Sequence, residues 1–380
     1  MHIVIILGPF LPVPPVLGGA TEKVHLLLAS AYRAAGHDVT IVSRRYRDFP
    51  REELIDGVRH IRIPSFGRSP WLILNLARDL CYSIYASFAQ PQGDVTITNG
   101  FFLPLVLRRR KSGNIYVQVG RYPKYQMCLY FRAGRLQAVS RAVADAIVRQ
   151  APWLAPKVSV IGCAVSDAYF DSNEMPQRGK TILFVGRIAR EKGISILLKA
   201  IISLQRHNAD HDFNHWKLRI IGPHDVSQGG DGIEYLRELK SLARPLGSRC
   251  EFAGPIFDEG TLIREYQSAA IFVYPSLAER GESLGLAPLE AMAAKCSVVV
   301  SDLRCFDDYV VDGVTGLKFD HRVESPEENL ASRLACLIVN PGLRERLAGA
   351  GHYVARQFRT RAIATRMLDD FATLVTHQQR

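Results

Sequence analysis

Two glutamates separated by seven residues stand out among the polar residues of this sequence. Glu282 and Glu290 lie in the stretch ERGESLGLAPLEAMAAKC, residues 279–296, and six of the seven residues between them are apolar or lack a large side chain. Carboxylates are rarely buried without a partner, whereas the segment between these two is typical of a buried core. The pattern favours a functional role for at least one of the two glutamates.

The local structure predicted for this stretch separates the two carboxylates. A helix is expected to begin near Ala287, with Glu290 in its first turn and Glu282 on the preceding loop. An acidic residue at a helix N-terminus interacts favourably with the helix dipole, and this accounts for Glu290 alone. It explains neither Glu282 nor Gly285, which keeps the backbone accessible, so that the amides of Gly285 and Leu286 could face a ligand.

A second stretch, TILFVGRIAREKG at residues 181–193, carries two cations at the end of a predicted strand. The strand ends near Gly186, and Arg187 and Lys192 flank a short turn before a predicted helix, residues 194–200. An arginine offers a fixed fork of donors to phosphate oxygens, and a lysine offers a mobile point charge. Both cations therefore suit a phosphate, although surface Lys and Arg are more often simply solvated.

A third stretch, GPFLPVPPVLGGATEK at residues 8–23, places Gly18 and Gly19 just before a predicted helix start. Free amides at a helix N-terminus, with no side chains in the way, suit a phosphate as well. An ordinary Pro-rich connection between strand and helix is the alternative. The pattern is not the dinucleotide-binding G-x-G-x-x-G, which argues against a nicotinamide cofactor.

These loops follow apolar runs that are typical of buried parallel strands, with helix-length segments between them. The predicted strands are 2–7, 39–42, 95–98, 115–119, 181–185, 217–221, 250–252, 271–274 and 297–300. The helical pattern of residues 21–35 between the first two strands completes a βαβ unit. The sequence therefore predicts an α/β protein with two Rossmann-like, doubly wound domains, in which ligands bind at the carboxyl ends of the strands.

Length and composition agree with two globular domains. The chain has 380 residues, 47% of them hydrophobic and 22% charged. Seven scattered cysteines without C-x-x-C spacing favour a reducing cytoplasm and argue against a zinc site. The apolar N-terminus has no basic leader and is expected to be a first strand. The most apolar stretch, residues 71–88, contains Arg78 and Asp79, which argues against a transmembrane span.

The formal charge of +11 lies entirely in the first half, where residues 1–170 hold 21 Lys and Arg against 10 Asp and Glu. A basic domain indicates an anionic partner: a phosphorylated substrate, an acidic membrane surface or a nucleic acid. The cations cluster at residues 108–111 and 121–135, the latter interleaved with aromatics. One interpretation is docking on an anionic inner leaflet, and an ordinary solvated face is the other.

Taken together, the motifs resemble those of family 4 glycosyltransferases, retaining enzymes with two Rossmann-like domains that face a cleft in the GT-B architecture. ESLGLAPLE, residues 282–290, is similar to the family's E-x7-E motif, and VGRIAREKG, residues 185–193, to its arginine–lysine phosphate loop. Residues 18–42 resemble the glycine loop, first helix and second strand of that family, and residues 307–319 the segment after its donor site.

The resemblance implies a role for each donor-site residue. Arg187 and Lys192 would neutralise the diphosphate of a nucleotide-sugar, and fixed cations matter most where charge develops on a leaving group. Glu290 would hydrogen-bond the ribose hydroxyls and Glu282 would face the sugar. The backbone at Gly186, Gly285 and Leu286 would add contacts, with Gly18 and Gly19 approaching the phosphates from the other domain.

The resemblance also implies the domain plan and the partners. An acceptor-binding domain is expected at residues 1–170, a nucleotide-sugar domain at 171–358, and a helix at 359–380 that returns to the first domain, with a linker at 171–180. No metal or cofactor is expected, and the one D-x-D, residues 210–212, precedes a strand. The acceptor would be a glycan or a lipid-linked sugar, in the cytoplasm or on the inner face of its membrane.

On the acceptor side the sequence departs from the family. Many relatives carry a histidine after an N-terminal strand, where this chain has Gln118, Val119 and Gly120. The alternatives left open are a nucleotide-sugar epimerase or phosphorylase of the same architecture, a basic nucleic-acid-binding protein and a non-catalytic scaffold. No recognised nucleic-acid-binding motif is present, so binding to nucleic acid is not expected.

Overall fold

The computed structural model describes residues 1–171, 178–207 and 212–378. Its strands are β1 (His2–Ile6), β2 (Asp38–Arg44), β3 (Glu52–Ile55), β4 (Val58–Ile63), β5 (Val95–Thr98), β6 (Asn114–Val119), β7 (Arg135–Ala138), β8 (Val158–Val160), β9 (Gly179–Val185), β10 (Lys217–Ile221), β11 (Cys250–Gly254), β12 (Ala269–Tyr274), β13 (Ser297–Ser301) and β14 (Leu317–Phe319). Its α-helices are α1 (Ala20–Ala34), α2 (Leu72–Ala89), α3 (Leu103–Val106), α4 (Arg109–Ser112), α5 (Arg141–Gln150), α6 (Ile194–His207), α7 (Gly232–Leu242), α8 (Glu259–Ser268), α9 (Leu286–Ala293), α10 (Pro326–Val339), α11 (Pro341–Ala355) and α12 (Thr360–Gln378).

The chain forms two compact units. The first comprises Met1–Ala164 and the segment from Phe358 onwards, and the second comprises Val165–Gln357. The second unit begins six residues before the expected position because the residues after Val165 pack on it: the Tyr169 ring lies 5.6 Å from that of Tyr266, and Phe170 packs on His352. Residues 172–177 of the expected linker lie outside the described residues, and its end already belongs to β9.

In the first unit, eight of the described strands form one sheet in the order β3-β4-β2-β1-β5-β6-β7-β8. The pairs are parallel except for the β3–β4 hairpin. Strand β1 pairs with both β2 and β5, so the order in which strands are added to the sheet changes direction between β1 and β5. Parallel sheets bind ligands at such a switch point, which is where the loop containing Gly18 and Gly19 leaves β1.

Helix α12 belongs to this first unit and is held there by a buried aromatic and a charged group. The Phe371 ring is fully buried, with its centroid 4.8 Å from that of Tyr116 and 5.7 Å from that of Tyr32. The neighbouring Asp370 accepts a 2.9 Å hydrogen bond from the Tyr116 hydroxyl and lies 2.7 Å from the Arg135 guanidinium.

The second unit has a parallel sheet of the order β11-β10-β9-β12-β13-β14. Here β9 lies between β10 and β12, so the switch point falls between β9 and β12. The loop after β9 carries Arg187 and Lys192, and the loop after β12 carries Glu282. The topology therefore brings the predicted phosphate loop and the first glutamate to one edge of the sheet.

These two parallel sheets confirm the predicted α/β fold class. Inner strands such as β12 and β13 are buried on both faces throughout their length, because helices cover both sides of such a sheet. Among the described residues, no helix has both the length and the mean hydropathy of a membrane-spanning segment.

Candidate functional site

The loops after β9 and β12 contact each other directly through their backbones. The amide of Leu277 donates a 2.7 Å hydrogen bond to the carbonyl of Glu191. Gly193 has φ of +66°, and a Cβ at this position would lie 2.0 Å from the carbonyl oxygen of Pro275. Only glycine allows so close an approach, so Gly193 sets the distance between the two loops.

A buried ion pair lies where these loops meet. The ammonium of Lys192 is 2.6 Å from Oε2 of Glu282, and the two side chains are 7% and 10% exposed. The hydroxyl of Ser276 donates a 3.0 Å hydrogen bond to the same oxygen. The Lys192 ammonium also lies 5.1 Å from the centre of the Tyr274 ring. Cation–π attraction of this kind adds to the pairing of a desolvated ammonium.

The environment of Lys192 keeps it charged. Burial by itself would lower the pKa of Lys192, but Tyr274 and the Glu282 carboxylate raise it above its ordinary value. Burial raises the pKa of the Tyr274 hydroxyl, so this phenol is neutral near pH 7 and the carboxylate supplies the main stabilisation. The site therefore holds a permanent cation with one anionic partner.

Arg187 is held by other groups at the same edge. Its guanidinium donates a 2.6 Å hydrogen bond to Glu191 and another to the carbonyl of Gly229, and its side chain is 42% exposed. Burial raises the pKa of the Tyr274 hydroxyl, and the nearby positive charge of Arg187 partly offsets that increase. Arg187 thus adds a second, more accessible cation next to the buried one. Gly186, which precedes it, donates from its amide to the Ile221 carbonyl at 2.9 Å.

Gly285 is the N-cap of α9, and Leu286 is the first residue of that helix. A Cβ on Gly285, which has φ of +78°, would lie 2.6 Å from Cε1 of Phe306 and 3.1 Å from the hydroxyl of Tyr309. Aromatic side chains therefore fill the position that a side chain would take here, so packing as well as φ requires glycine. The contact of the Gly285 and Leu286 amides with a ligand stays a prediction. The Tyr309 hydroxyl is 2.8 Å from the Leu284 carbonyl and 3.0 Å from that of Gly285, so it orients the turn.

Glu290 lies further into α9 than expected. The helix begins at Leu286, so Glu290 is its fifth residue and lies beyond the first turn. The explanation based on the helix dipole therefore weakens, because that effect fades within the first turn. Glu290 is 6% exposed, and Tyr266 donates a 3.1 Å hydrogen bond to its Oε2. Burial raises the pKa of Tyr266, which keeps its hydroxyl a donor.

Sequence reasoning missed the side chains that hold the two glutamates, Lys192 and the turn at Gly285. Ser276 and Tyr274 stand at the end of β12, and Tyr266 and Tyr309 reach the site from other elements. The end of a buried strand before a functional loop was a usable signal for Ser276. Nothing in the spacing of Tyr266 or Tyr309 indicated a contact, because 24 residues separate each from its partner.

In the first unit, Gly18 and Gly19 have φ of +76° and +116°, and Gly19 caps α1. A Cβ on Gly19 would lie 2.3 Å from Oε2 of Glu22, so this carboxylate occupies the helix N-terminus. Burial raises the pKa of Glu22, and Arg121 opposes this effect. A phosphate at the Gly18–Gly19 turn would meet this carboxyl group, and it would be repelled unless Glu22 were protonated or displaced.

The described residues hold no cluster of three or more His, Cys, Asp or Glu side chains suited to a metal ion. The D-x-D at residues 210–212 cannot be placed in the site, because residues 210 and 211 lie outside the described ranges.

The sequence model of the family "Glycosyl transferases group 1" matches residues 165–352, nearly the whole second unit. The chain therefore carries the domain of this family at residues 165–352, which contain Arg187, Lys192, Glu282 and Glu290. It is 32% identical over 203 residues to the phosphatidyl-myo-inositol mannosyltransferase of Mycobacterium leprae (strain TN). The aligned residues make up 53% of this chain and 48% of that protein. The chain thus spans about half the length of the curated relatives it matches.

Solved structures resemble the chain over nearly its full length. Sucrose-phosphate synthase from Thermosynechococcus elongatus has a TM-score of 0.75 at 21% identity. The superposition covers 99% of this chain and 100% of the synthase chain. Anabaena HepE in complex with UDP and glucose has a TM-score of 0.72 at 16% identity, with 97% and 99% covered. At these identities the likeness establishes the fold, which is that of GT-B glycosyltransferases.

Proposed function

We propose that this protein is a retaining glycosyltransferase that moves a sugar from a nucleotide-diphosphate sugar to a glycan or lipid-linked acceptor, in the synthesis of a bacterial surface polysaccharide or glycoconjugate. The observation that carries the proposal is the buried contact of Lys192 with Glu282, next to Arg187, at the switch point of the second sheet. A permanent cation beside a carboxylate suits a ligand with a charged diphosphate at one end and hydroxyls at the other.

The chemistry asks these groups to support one substitution. The bond between the anomeric carbon of the sugar and the diphosphate oxygen breaks, and the electron pair leaves with the nucleoside diphosphate. A new bond forms to the acceptor oxygen, whose proton passes to the departing diphosphate oxygen. Negative charge grows on the diphosphate, and Lys192 and Arg187 would stabilise it at little reorganisation cost, because neighbouring groups already orient both side chains.

The two glutamates would bind the remaining parts of the donor. Glu290, oriented by Tyr266, would accept hydrogen bonds from the ribose hydroxyls. Glu282, oriented by Ser276, would accept hydrogen bonds from the hydroxyls of the sugar. The similar proteins support this substrate class: the Mycobacterium leprae relative is a phosphatidyl-myo-inositol mannosyltransferase, and the structural neighbour HepE was solved with UDP and glucose. We further propose that transfer needs no metal ion and takes place in the cytoplasm, at the inner face of the membrane.

Nucleotide binding is the first test of this proposal. Thermal denaturation is measured with UDP, GDP, ADP and their common sugar conjugates, with and without Mg²⁺. Stabilisation by one diphosphate, independent of Mg²⁺ and abolished in Lys192→Met, is expected, since a ligand bound only by the folded state raises the melting temperature. The matched control is Arg190→Met: Arg190 pairs with Glu238 on the surface, and its variant should bind like the wild type.

Three outcomes would reject the proposal. Absence of stabilisation by any nucleotide, combined with salt-sensitive binding to oligonucleotides, would favour the nucleic-acid alternative. Interconversion of two nucleotide-sugars without an acceptor would favour an epimerase. The retaining mode is tested by NMR of the product, and an inverted anomeric configuration would exclude it.

A further inference from the structure

Helix α2 carries its large apolar side chains on the face exposed to solvent. Their exposed fractions range from 37% for Leu76 and Leu80 to 83% for Ile73, and these residues recur at intervals of three or four along the helix. Together with Trp71, which precedes α2, they form the apolar α2 face: Trp71, Leu72, Ile73, Leu76, Leu80, Ile84 and Phe88. Contiguous exposed apolar patches on soluble proteins mark interaction surfaces.

The side of α2 that packs on the protein is polar or small apart from Tyr82. Its buried residues are Asp79, Tyr82, Ser83, Ala86 and Ser87. Asp79 accepts a 3.3 Å hydrogen bond from the amide of Phe102, next to α3. This arrangement is the reverse of a helix that covers the core of a soluble domain, where the apolar stripe faces inward.

Cations surround the apolar α2 face. The Arg108 guanidinium lies 4.1 Å from the centre of the Phe88 ring, and the Lys111 ammonium donates a 3.2 Å hydrogen bond to the Phe88 carbonyl. Arg68 is exposed on the chain that leads into the helix. Arg78, within the helix, donates a 2.6 Å hydrogen bond to the Gly67 carbonyl, and the acid in α2, Asp79, is buried. The surface therefore combines apolar side chains with an excess of positive charge.

We propose that the apolar α2 face docks on an anionic lipid bilayer. The helix would lie in the plane of the interface, with its apolar side chains among the acyl chains and Arg108 and Lys111 at the headgroups. Charge favours lipid over a second copy of this chain, because a copy of the same face would bring like charges together. The inference deepens the proposed function by naming the surface that brings a lipid-linked acceptor within reach. Its test needs no sugar transfer.

Vesicle flotation tests the docking surface. The full chain is floated with vesicles of phosphatidylcholine alone and of phosphatidylcholine with phosphatidylglycerol, at low and high salt. Leu76→Gln, Leu80→Gln and Ile84→Gln in one variant should lower the partition coefficient on anionic vesicles at least about tenfold, since buried apolar area drives insertion. Arg108→Gln with Lys111→Gln should weaken binding and reduce its salt dependence.

The matched control replaces three exposed apolar residues of the second unit: Val226→Gln, Ile233→Gln and Val339→Gln. Wild-type binding is expected of this control. Equal binding by the α2 variant, or no binding by the wild type to anionic vesicles, would overturn the proposal. A wild-type dimer in analytical ultracentrifugation that dissociates only in the α2 variant, without vesicle binding, would assign the face to self-association instead. Nucleotide-induced stabilisation of the α2 variant shows that the donor site is intact and keeps this test separate from that of the proposed function.

Tryptophan fluorescence tests whether the start of α2 itself contacts the bilayer. The chain has three tryptophans; Trp71 is 75% exposed at the start of α2, Trp153 is 61% exposed, and Trp216 is 6% exposed. In a Trp153→Phe variant, anionic vesicles should shift the emission to shorter wavelengths, and brominated lipids should quench it. The same vesicles should leave the emission of a Trp71→Phe variant unchanged, and a comparable shift there would contradict docking through α2.

Discussion

The ammonium of Lys192 lies 2.6 Å from the Glu282 carboxylate, and both side chains are at least nine-tenths buried. Their loops come from different strands, β9 and β12, which the order of the sheet places side by side. Removal of either partner leaves an uncompensated charge in a place with little access to water, which is far more costly than loss of the pair.

The first prediction concerns this pair. Lys192→Met and Glu282→Gln should each lower the free energy of unfolding by up to about 3–5 kcal/mol, and the double variant should lose less than the sum, with a coupling of about 1–3 kcal/mol. Urea denaturation is followed by Trp216 fluorescence in a Trp71→Phe/Trp153→Phe background, because Trp216 lies buried in the second unit. The exposed pair Arg190–Glu238 is the control, with coupling of about 0–1 kcal/mol expected. Additive losses at Lys192 and Glu282 would contradict their interdependence.

The second prediction separates the two glutamates by function. Glu290→Ala should weaken binding of the bare nucleoside diphosphate by about 10–100-fold, the range expected when a charged acceptor is lost. Glu282→Ala should reduce the rate of sugar transfer more than it reduces nucleotide affinity, because Glu282 is assigned to the sugar. Calorimetric titration and initial rates are compared for both variants. Transfer by Glu282→Ala at the wild-type rate would show that the assignment of Glu282 is wrong.

The third prediction concerns Gly285. Gly285→Ala should destabilise the second unit by about 1–3 kcal/mol, because φ of +78° disfavours alanine and the new Cβ would meet Phe306 at 2.6 Å. Gly349→Ala is the matched control: it lies in α11, and a Cβ there meets nothing within 4 Å. This substitution should stabilise the protein by about 0.5–1 kcal/mol. Thermal denaturation distinguishes the two, and equal effects would argue against the packing described.

The fourth prediction concerns pH. Burial lowers the pKa of His25 from 6.5 to about 4, although a hydrogen bond to the Thr21 carbonyl opposes this shift. The folded state therefore binds fewer protons than the unfolded chain between these values. The stability that neutral His25 contributes is present above pH 6.5 and is lost as the pH falls towards 4, on the order of 3 kcal/mol for a shift of this size.

His25→Gln should remove this part of the pH dependence. The free energy of unfolding is compared with that of the wild type at pH 8, 6 and 4.5, with His215→Gln, an exposed position, as the control. Glu22, whose pKa burial raises, acts in the opposite sense, because its contribution is lost as the pH rises. A wild-type-minus-variant difference that stays constant from pH 8 to 4.5 would be inconsistent with a neutral, buried His25.

Much of the fold was predictable because buried parallel strands leave continuous apolar runs. The runs at 2–7, 95–98 and 297–300 correspond to β1, β5 and β13. The β3–β4 hairpin was missed, although Asp56-Gly57 joins it with φ of +48° and +77°, which is the known signature of a two-residue turn. Strands β7, β8 and β14 were missed as well: β8 and β14 have only three residues, and β7 (RLQA) has no β-branched or aromatic residue.

The sequence by itself determined the fold class and the chemical character of the site, since residue type and position along a βα unit are local properties. Only the tertiary structure decided which groups pair: that Glu282 contacts Lys192, that Tyr266 holds Glu290, and that α2 turns Ser83 inward and Ile84 outward. Such contacts depend on strand order and on the rotation of a helix against its neighbours. An apolar run shows only that a segment prefers a non-aqueous environment. The packing decides whether its side chains are buried in the core or exposed on the surface of the protein, where another surface can cover them.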